Sequence, residues 1–244
     1  MNRTSTTTHA ASHRNRNRSH PFVSRFWTLA LVLSAGYIAA MASQYLWLAP
    51  IEYSFGAQIE TYTANRLTMM LHIGAGVIAL LAGTAQFIPL LKRFRLLHRV
   101  AGSVYCIAVG IGGTAGLRAA TFAFGGASNS VAFGMMSTLW LLTTALALVN
   151  VYRGNLEAHQ RWMKRSFAIT LAAVTLRIEL GLFIFVGGLS FSETYLIVPW
   201  TSWVGNLLIL EWWPGLLRFR LPFGVNRLRH SHGDHPSVMT PSDV

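Results

Sequence analysis

Residues 67–99 read LTMMLHIGAGVIALLAGTAQFIPLLKRFRLLHR. The first 25 of them, 67–91, carry no charge, and four cations follow at once: Lys92, Arg93, Arg95 and Arg99. A helix rises 1.5 Å per residue, so about 20 residues cross the roughly 30 Å hydrocarbon core of a bilayer. An uncharged run of that length closed by a basic block has the form of a membrane span ending at a cytoplasmic boundary. That single stretch decides the class of the chain.

Five further apolar runs of similar length flank it, at about 26–48, 100–124, 131–151, 166–189 and 195–213. The sequence therefore predicts an all-α polytopic membrane protein, a bundle of six transmembrane helices. Three segments are expected: a disordered basic tail over 1–25, the membrane domain over 26–215, and a basic, His-containing tail over 216–244. Composition agrees. Charged residues make up 11% of the chain and hydrophobic ones 52%, where a soluble domain carries about 25% charge. An ordinary soluble enzyme, a disordered chain and a collagen-like fibre are excluded. The single cysteine, Cys106, excludes a disulfide framework and a cysteine-rich zinc module.

The cations give the orientation. Seventeen of the twenty Lys and Arg residues fall in the N-terminal tail, the 92–99 loop, the 153–165 loop and the C-terminal tail. All four lie on one side of a six-span arrangement. Arg66 alone lies on the other side, and Arg118 and Arg177 lie within spans. The positive-inside rule then puts both termini in the cytoplasm, with the chain in the inner membrane of a bacterium. The net charge of +12 thus faces anionic lipid, the expected partner, and no nucleic-acid role follows from it. Ala40-Met41-Ala42 has the small-x-small pattern of a signal-peptidase site. The long basic segment before it and the apolar run beyond it favour a retained signal anchor.

Helical spacing groups the unusual residues. His98, Gly102, Cys106 and Gly110 recur every fourth residue, with Gly113 and Gly116 beyond. Such a stripe is expected either to seat another helix backbone, as small residues do in lipid, or to wall a flat ligand. His72, Gly76, Ala79, Gly83 and Gln86 share a face of the second span. His159, Met163, Ser166, Thr170, Ala173 and Arg177 share one of the fifth. Polar groups in a bilayer turn to the bundle interior, so these stripes are expected to face one another.

Depth sorts the same residues into two layers. His98 and His159 sit near the cytoplasmic boundary, with Gln86 and Glu211 within about 6–9 Å of it. His72 lies about 8 Å inside the opposite boundary, near the depth of Arg177 and Glu179, with Arg118 a further candidate. Arg177 and Glu179 are two residues apart and need separate partners. Two neutral imidazoles from different helices can ligate a haem iron. Two imidazoles with a carboxylate suit zinc or non-haem iron. The plain alternative is that each histidine borders a basic loop and bonds lipid headgroups or helix ends. His230, His232 and His235 form a loose tract in the C-terminal tail. No phosphate loop, Ser-His-Asp order or HExxH motif is present.

Two motifs are distinctive: His98-Arg99-Val100-Ala101-Gly102-Ser103-Val104-Tyr105, and His159-Gln160-Arg161-Trp162-Met163-Lys164-Arg165-Ser166. With Leu71-His72, Gln86-Phe87, Leu176-Arg177-Ile178, Asn206 and Glu211-Trp212, they resemble the predicted membrane proteins called domain of unknown function 2306. The resemblance covers about residues 67–213 and implies a multi-span inner-membrane protein. A weaker similarity is to bundles that carry b-type haem between helices, such as cytochrome b561-like proteins. This chain departs from those in having three core histidines rather than two bis-histidine pairs. The candidate cofactor-binding set is therefore His98, His159, Gln86, Glu211 and Tyr105, and the second polar layer is His72, Arg177 and Glu179. Two functions are open. One is a redox protein holding b-type haem or a metal between helices. The other is a non-redox small-molecule permease or membrane assembly partner.

Overall fold

The computed structural model describes residues 21–47, 59–88 and 93–212. These residues form eight helices and no strand. In chain order they are α1 (Pro21–Trp47), α2 (Ile59–Ala64), α3 (Arg66–Ala85), α4 (Arg95–Ala120), α5 (Ala127–Tyr152), α6 (Leu156–Thr170), α7 (Ala172–Phe185) and α8 (Phe191–Trp212). α1 starts at Pro21, inside the stretch expected as a disordered tail. The rest of that tail, the C-terminal histidine tract and part of the 92–99 loop lie outside the described residues.

Among the described residues four helical segments are long and apolar enough to cross a membrane: Arg66–Ala85, Arg95–Ala120, Ala127–Tyr152 and Leu156–Phe185, the last being α6 and α7 together. Their outer surface suits lipid. Ile107, Ile178 and Phe185 are 64%, 62% and 88% exposed, a waste of apolar area in water and none in a bilayer. α1 holds a shorter apolar segment, Thr28–Gln44.

Cross-helix contacts fix the directions. Gln86 meets His98 and His72 meets Gly112, so α3 and α4 are antiparallel. His159 meets Ala147, Ser166 meets Thr144 and Thr170 meets Trp140, so α5 and α6 are antiparallel. α8 lies antiparallel along the later part of α6 and the first half of α7. Its contacts run from Glu211 with Arg165, through Asn206 with Ala168 and the Ser202 carbonyl with Thr175, to Thr201 with Glu179.

Two irregularities carry their own repairs. The helical run from Leu156 breaks at Leu171. Beside the break, the Asn206 amide donates to the Ala168 carbonyl at 3.0 Å and to Thr175 Oγ1 at 3.1 Å. Pro199 lies inside α8 and cannot donate to the Tyr195 carbonyl four residues earlier. Asn129 Nδ2 supplies the missing donor at 2.8 Å and also bonds the Phe124 carbonyl at 2.7 Å. Unpaired backbone in lipid is costly, so both bonds hold helices together as well as completing them. α8 begins in a capping box. Ser190 N–H and Oγ both donate to Glu193 Oε2, which holds that carboxyl below its usual range.

The packing face of α4 agrees with the expected one at Gly113 and Gly116 and differs from it at Gly102 and Gly110. A Cβ on Gly102 or Gly110 would meet nothing within 4 Å, so neither seats another helix. The residues buried on α4 are Tyr105, Ala108, Val109, Gly112, Gly113, Gly116 and Ala120. A Cβ on Gly113 would lie 2.7 Å from Leu141, and one on Gly116 2.6 Å from Ser137 Oγ. The close-approach stripe is therefore rotated by part of a turn. On α3 the expected stripe holds in part: Ala79 and Gly83 are buried, and a Cβ on Gly83 would lie 2.6 Å from the Phe167 ring. Gly76, on the same stripe, has nothing near it.

Candidate functional site

A run of hydroxyls crosses the middle of the bundle between α4, α5 and α6. Tyr105 Oη lies 2.6 Å from Ser166 Oγ and 2.9 Å from Thr170 Oγ1, and Ser166 Oγ lies 2.7 Å from Thr144 Oγ1. Trp140 Nε1 donates to Thr170 Oγ1 at 2.9 Å, and Thr144 donates to the Trp140 carbonyl at 2.9 Å. Proton counting orders the chain. Thr144 spends its hydrogen on that carbonyl, so Ser166 donates to Thr144 and Tyr105 donates to Ser166. Tyr105 is fully buried. A satisfied network of this kind fixes the register of the helices that share it. Sequence reading put Tyr105 in the site but did not find Trp140, Thr144 or this use of Ser166 and Thr170. The signal was a tryptophan in mid-span, away from the interfacial belts, together with hydroxyls at its depth.

The histidines stand relative to this network. α4 and α6 each run antiparallel to α5, so they run in the same direction. Tyr105 is seven residues beyond His98, and Ser166 is seven beyond His159. Seven residues make about two turns and return to within roughly 20° of the same face. His98 and His159 therefore each stand about 10 Å before the Tyr105–Ser166 bond along their own helices, towards the ends at which α4 and α6 begin. Both side chains are half-buried. His159 Nδ1 lies 2.9 Å from the Ala147 carbonyl. A carbonyl only accepts, so Nδ1 carries the hydrogen and the neutral ring keeps its lone pair on Nε2. Among the described residues that Nε2 has no hydrogen-bond partner. Ligating histidines are commonly oriented by such an Nδ1–H bond to a carbonyl. Between His98 and Tyr105 on α4 stands Gly102, with its open space.

The other members of the layer assigned to His98 and His159 separate. Gln86 Nε2 donates to the His98 carbonyl at 3.2 Å, so it braces the first turns of α4. Glu211 is bound to Arg165 at 2.6 Å in a partly exposed ion pair, and the Arg165 guanidinium stacks 4.6 Å from the Trp162 ring centre. The carboxylate expected beside the histidines is thus committed elsewhere. Among the described residues no group of three or more His, Cys, Asp or Glu is arranged to hold a metal ion. The expected combination of two imidazoles and a carboxylate for zinc or non-haem iron is not assembled. A haem iron needs only two protein ligands, because the porphyrin supplies four.

The second polar layer also divides. His72 Nδ1 lies 2.8 Å from the Gly112 carbonyl. Arg177 donates to the Ala173 carbonyl at 2.6 Å. Glu179 accepts from Thr201 at 2.6 Å on an exposed face, apart from Arg177, as their two-residue spacing requires.

A family model described as "Predicted membrane protein (DUF2306)" matches residues 69–214. No curated protein and no solved structure matches the chain.

Proposed function

This chain belongs to the DUF2306 family of predicted membrane proteins, and from that premise we propose a six-span protein of the bacterial inner membrane, with both termini cytoplasmic, that binds b-type haem between His98 and His159 in a redox role. The observation that carries the reading is the Tyr105–Ser166 bond, which joins α4 and α6 about two turns beyond each histidine. The orientation of His159 by Ala147 and the open space at Gly102 support it. When bound, such a haem would carry one electron at a time. The chain's own part is to present two imidazole nitrogens from helices held at fixed height, and to exclude water above them with the closed hydroxyl network. Gln86 holds α4 at the level of His98.

The test is optical. Protein purified in detergent from haem-replete cells is expected to show a Soret band. His98→Ala and His159→Ala are each expected to remove it, and His72→Ala to leave it. A colourless wild-type protein, or a band that survives either inner substitution, would turn the reading towards a non-redox permease or assembly partner.

Orientation has its own test. The antiparallel course of α8 along α6 and α7 supports a sixth crossing, although Glu193 and Glu211 lower its apolar character. A reporter fused after Val244 and another inserted in the 92–99 loop are both expected to read cytoplasmic. A periplasmic reading from either would contradict the charge distribution on which the topology rests.

A further inference from the structure

An acid and a cation stand without counter-ions towards the end of the bundle away from His98 and His159, the outer end. Arg118 lies in α4 two residues before Ala120, about 3 Å inside that end. Glu179 lies in α7 six residues before Phe185, about 9 Å inside it. Both belong to segments long and apolar enough to cross a membrane. Thr201 donates to Glu179 at 2.6 Å, but neither Glu179 nor the Arg118 side chain has an ion-pair partner among the described residues. Arg177 is on another face of α7 and donates to the Ala173 carbonyl. A charge at such depth is costly, and membrane bundles meet it with an opposite one. A groove opens at the same end on α5. Val131, Gly134, Met135, Thr138 and Leu139 line it, and its volume is about 440 Å³. These residues lie about 6–18 Å from the start of α5, a range that includes the depth of Glu179. Gly134 and Thr138 have the small-xxx-small spacing at which helices approach closely in lipid. The Thr138 hydroxyl is spent on the Gly134 carbonyl at 2.8 Å. α5 packs on α4. Arg118 is exposed on α4, as Val131, Met135 and Thr138 are on α5, so the cation and the groove both face away from the bundle.

We propose that the outward face of α4 and α5, with its groove and Arg118, is an interaction surface for α7 of a second copy of this chain, whose Glu179 pairs with Arg118. The charges choose the partner. The positive-inside rule gives every copy the same orientation, so the acid of one copy and the cation of the next meet at the same end of the membrane. The long arginine side chain covers the difference in depth. α7 suits the groove. Ile178 and Leu182, on either side of Glu179 in the chain, are exposed, and Ala172 and Val174 are the buried residues of this helix. The rest of α7 is free to pack elsewhere. The two surfaces lie on different helices, so the contact is head-to-tail, and copies of one orientation close it as a ring. No histidine takes part, and the inference stands apart from the haem reading.

The experiment is native mass spectrometry of the full chain in a mild detergent. The wild type is expected as an assembly of more than one copy. Arg118→Glu and Glu179→Arg are each expected to leave monomers. The chain carrying both is expected to assemble again, because the pair returns with its signs exchanged. Thr138→Phe fills the groove from an exposed position, so it is expected to melt with the wild type and to assemble less. The head-to-tail arrangement has its own measurement, in a Cys106→Ala background. Copies with Met135→Cys and copies with Leu182→Cys, expressed together, are expected to be joined to each other by copper-phenanthroline oxidation, while neither kind is joined to itself. Wild-type monomers, single charge reversals that leave the assembly intact, a doubly reversed chain that stays monomeric, or cross-links only between copies of one kind would overturn the proposal. Intact assembly after single reversal is the result that an Arg118 bound to lipid phosphate would give.

Discussion

Gly116→Leu is expected to destabilise the bundle severely, while Gly102→Leu is expected to melt with the wild type. The contrast follows from what each position faces. At Gly116 the first added carbon already lies 2.6 Å from Ser137 Oγ and 3.0 Å from the His72 ring. Neither neighbour can retreat freely. Ser137 is buried on α5, and His72 is tied to the Gly112 carbonyl. Overpacking typically costs about 1–3 kcal/mol, and leucine brings three more carbons beyond the clashing one, so the top of that range or more is expected. At Gly102 no atom stands within 4 Å of the added carbon. Thermal unfolding in detergent checks both. Equal melting of the two variants would mean that the rotated stripe on α4 is wrong.

Thr170→Val is expected to be the second large effect. Thr170 Oγ1 accepts the Trp140 Nε1 hydrogen and meets Tyr105 Oη, both at 2.9 Å. Valine keeps the shape and removes the oxygen. The indole N–H is then stranded in the buried core, at a cost of about 1–3 kcal/mol. Tyr105→Phe is expected to be milder. Ser166 still donates to Thr144, and Trp140 still donates to Thr170, so no donor is stranded. Melting of the single variants gives the order directly. A Tyr105→Phe protein less stable than Thr170→Val would contradict the donor assignments of the network.

Four of the six expected spans, and the antiparallel course of neighbouring helices, were legible in the sequence because both follow from coarse quantities. Uncharged runs near 20 residues have few alternatives to a bilayer, and cations at alternate ends mark direction. The faces were less legible, for a reason particular to lipid. A soluble helix shows which side is buried by turning its polar side outward. In a bilayer both sides are apolar. On α4 two glycine-containing stripes lay side by side, Gly102 with Gly110 and Gly112 with Gly116, and nothing in the spacing chose between them. The choice came from Tyr105, whose hydroxyl must find partners in the interior. Reading from Tyr105 along its own face reaches Val109, Gly112 and Gly116, all buried.

The candidate site was legible in proportion to how specific each residue's chemistry is. His98 and His159 were paired from depth, and each stands seven residues before its helix's member of the Tyr105–Ser166 bond. Gln86 does reach His98, but through the backbone carbonyl rather than the ring. Glu211 was assigned to the same layer from depth along its helix, which says nothing about azimuth. Its carboxylate instead takes Arg165, four residues beyond the Arg161 that pairs with Glu157. Trp140 went unnoticed because mid-span tryptophans read as apolar bulk until a buried acceptor is found for the indole N–H.

The central claim is that His98 and His159 turn towards one shared site, and a short chemical cross-link tests it most directly. Cys106 is the only cysteine in the chain, so a Cys106→Ala background gives a clean start. In that background His98→Cys and His159→Cys are combined, after each alone has been found to react with a monofunctional maleimide. A short bismaleimide is expected to join the two cysteines within one chain, seen as a single mass adduct and one linked peptide pair. Two separate singly reacted adducts with no linked pair would mean that the two side chains face different surroundings, and the shared site would be contradicted.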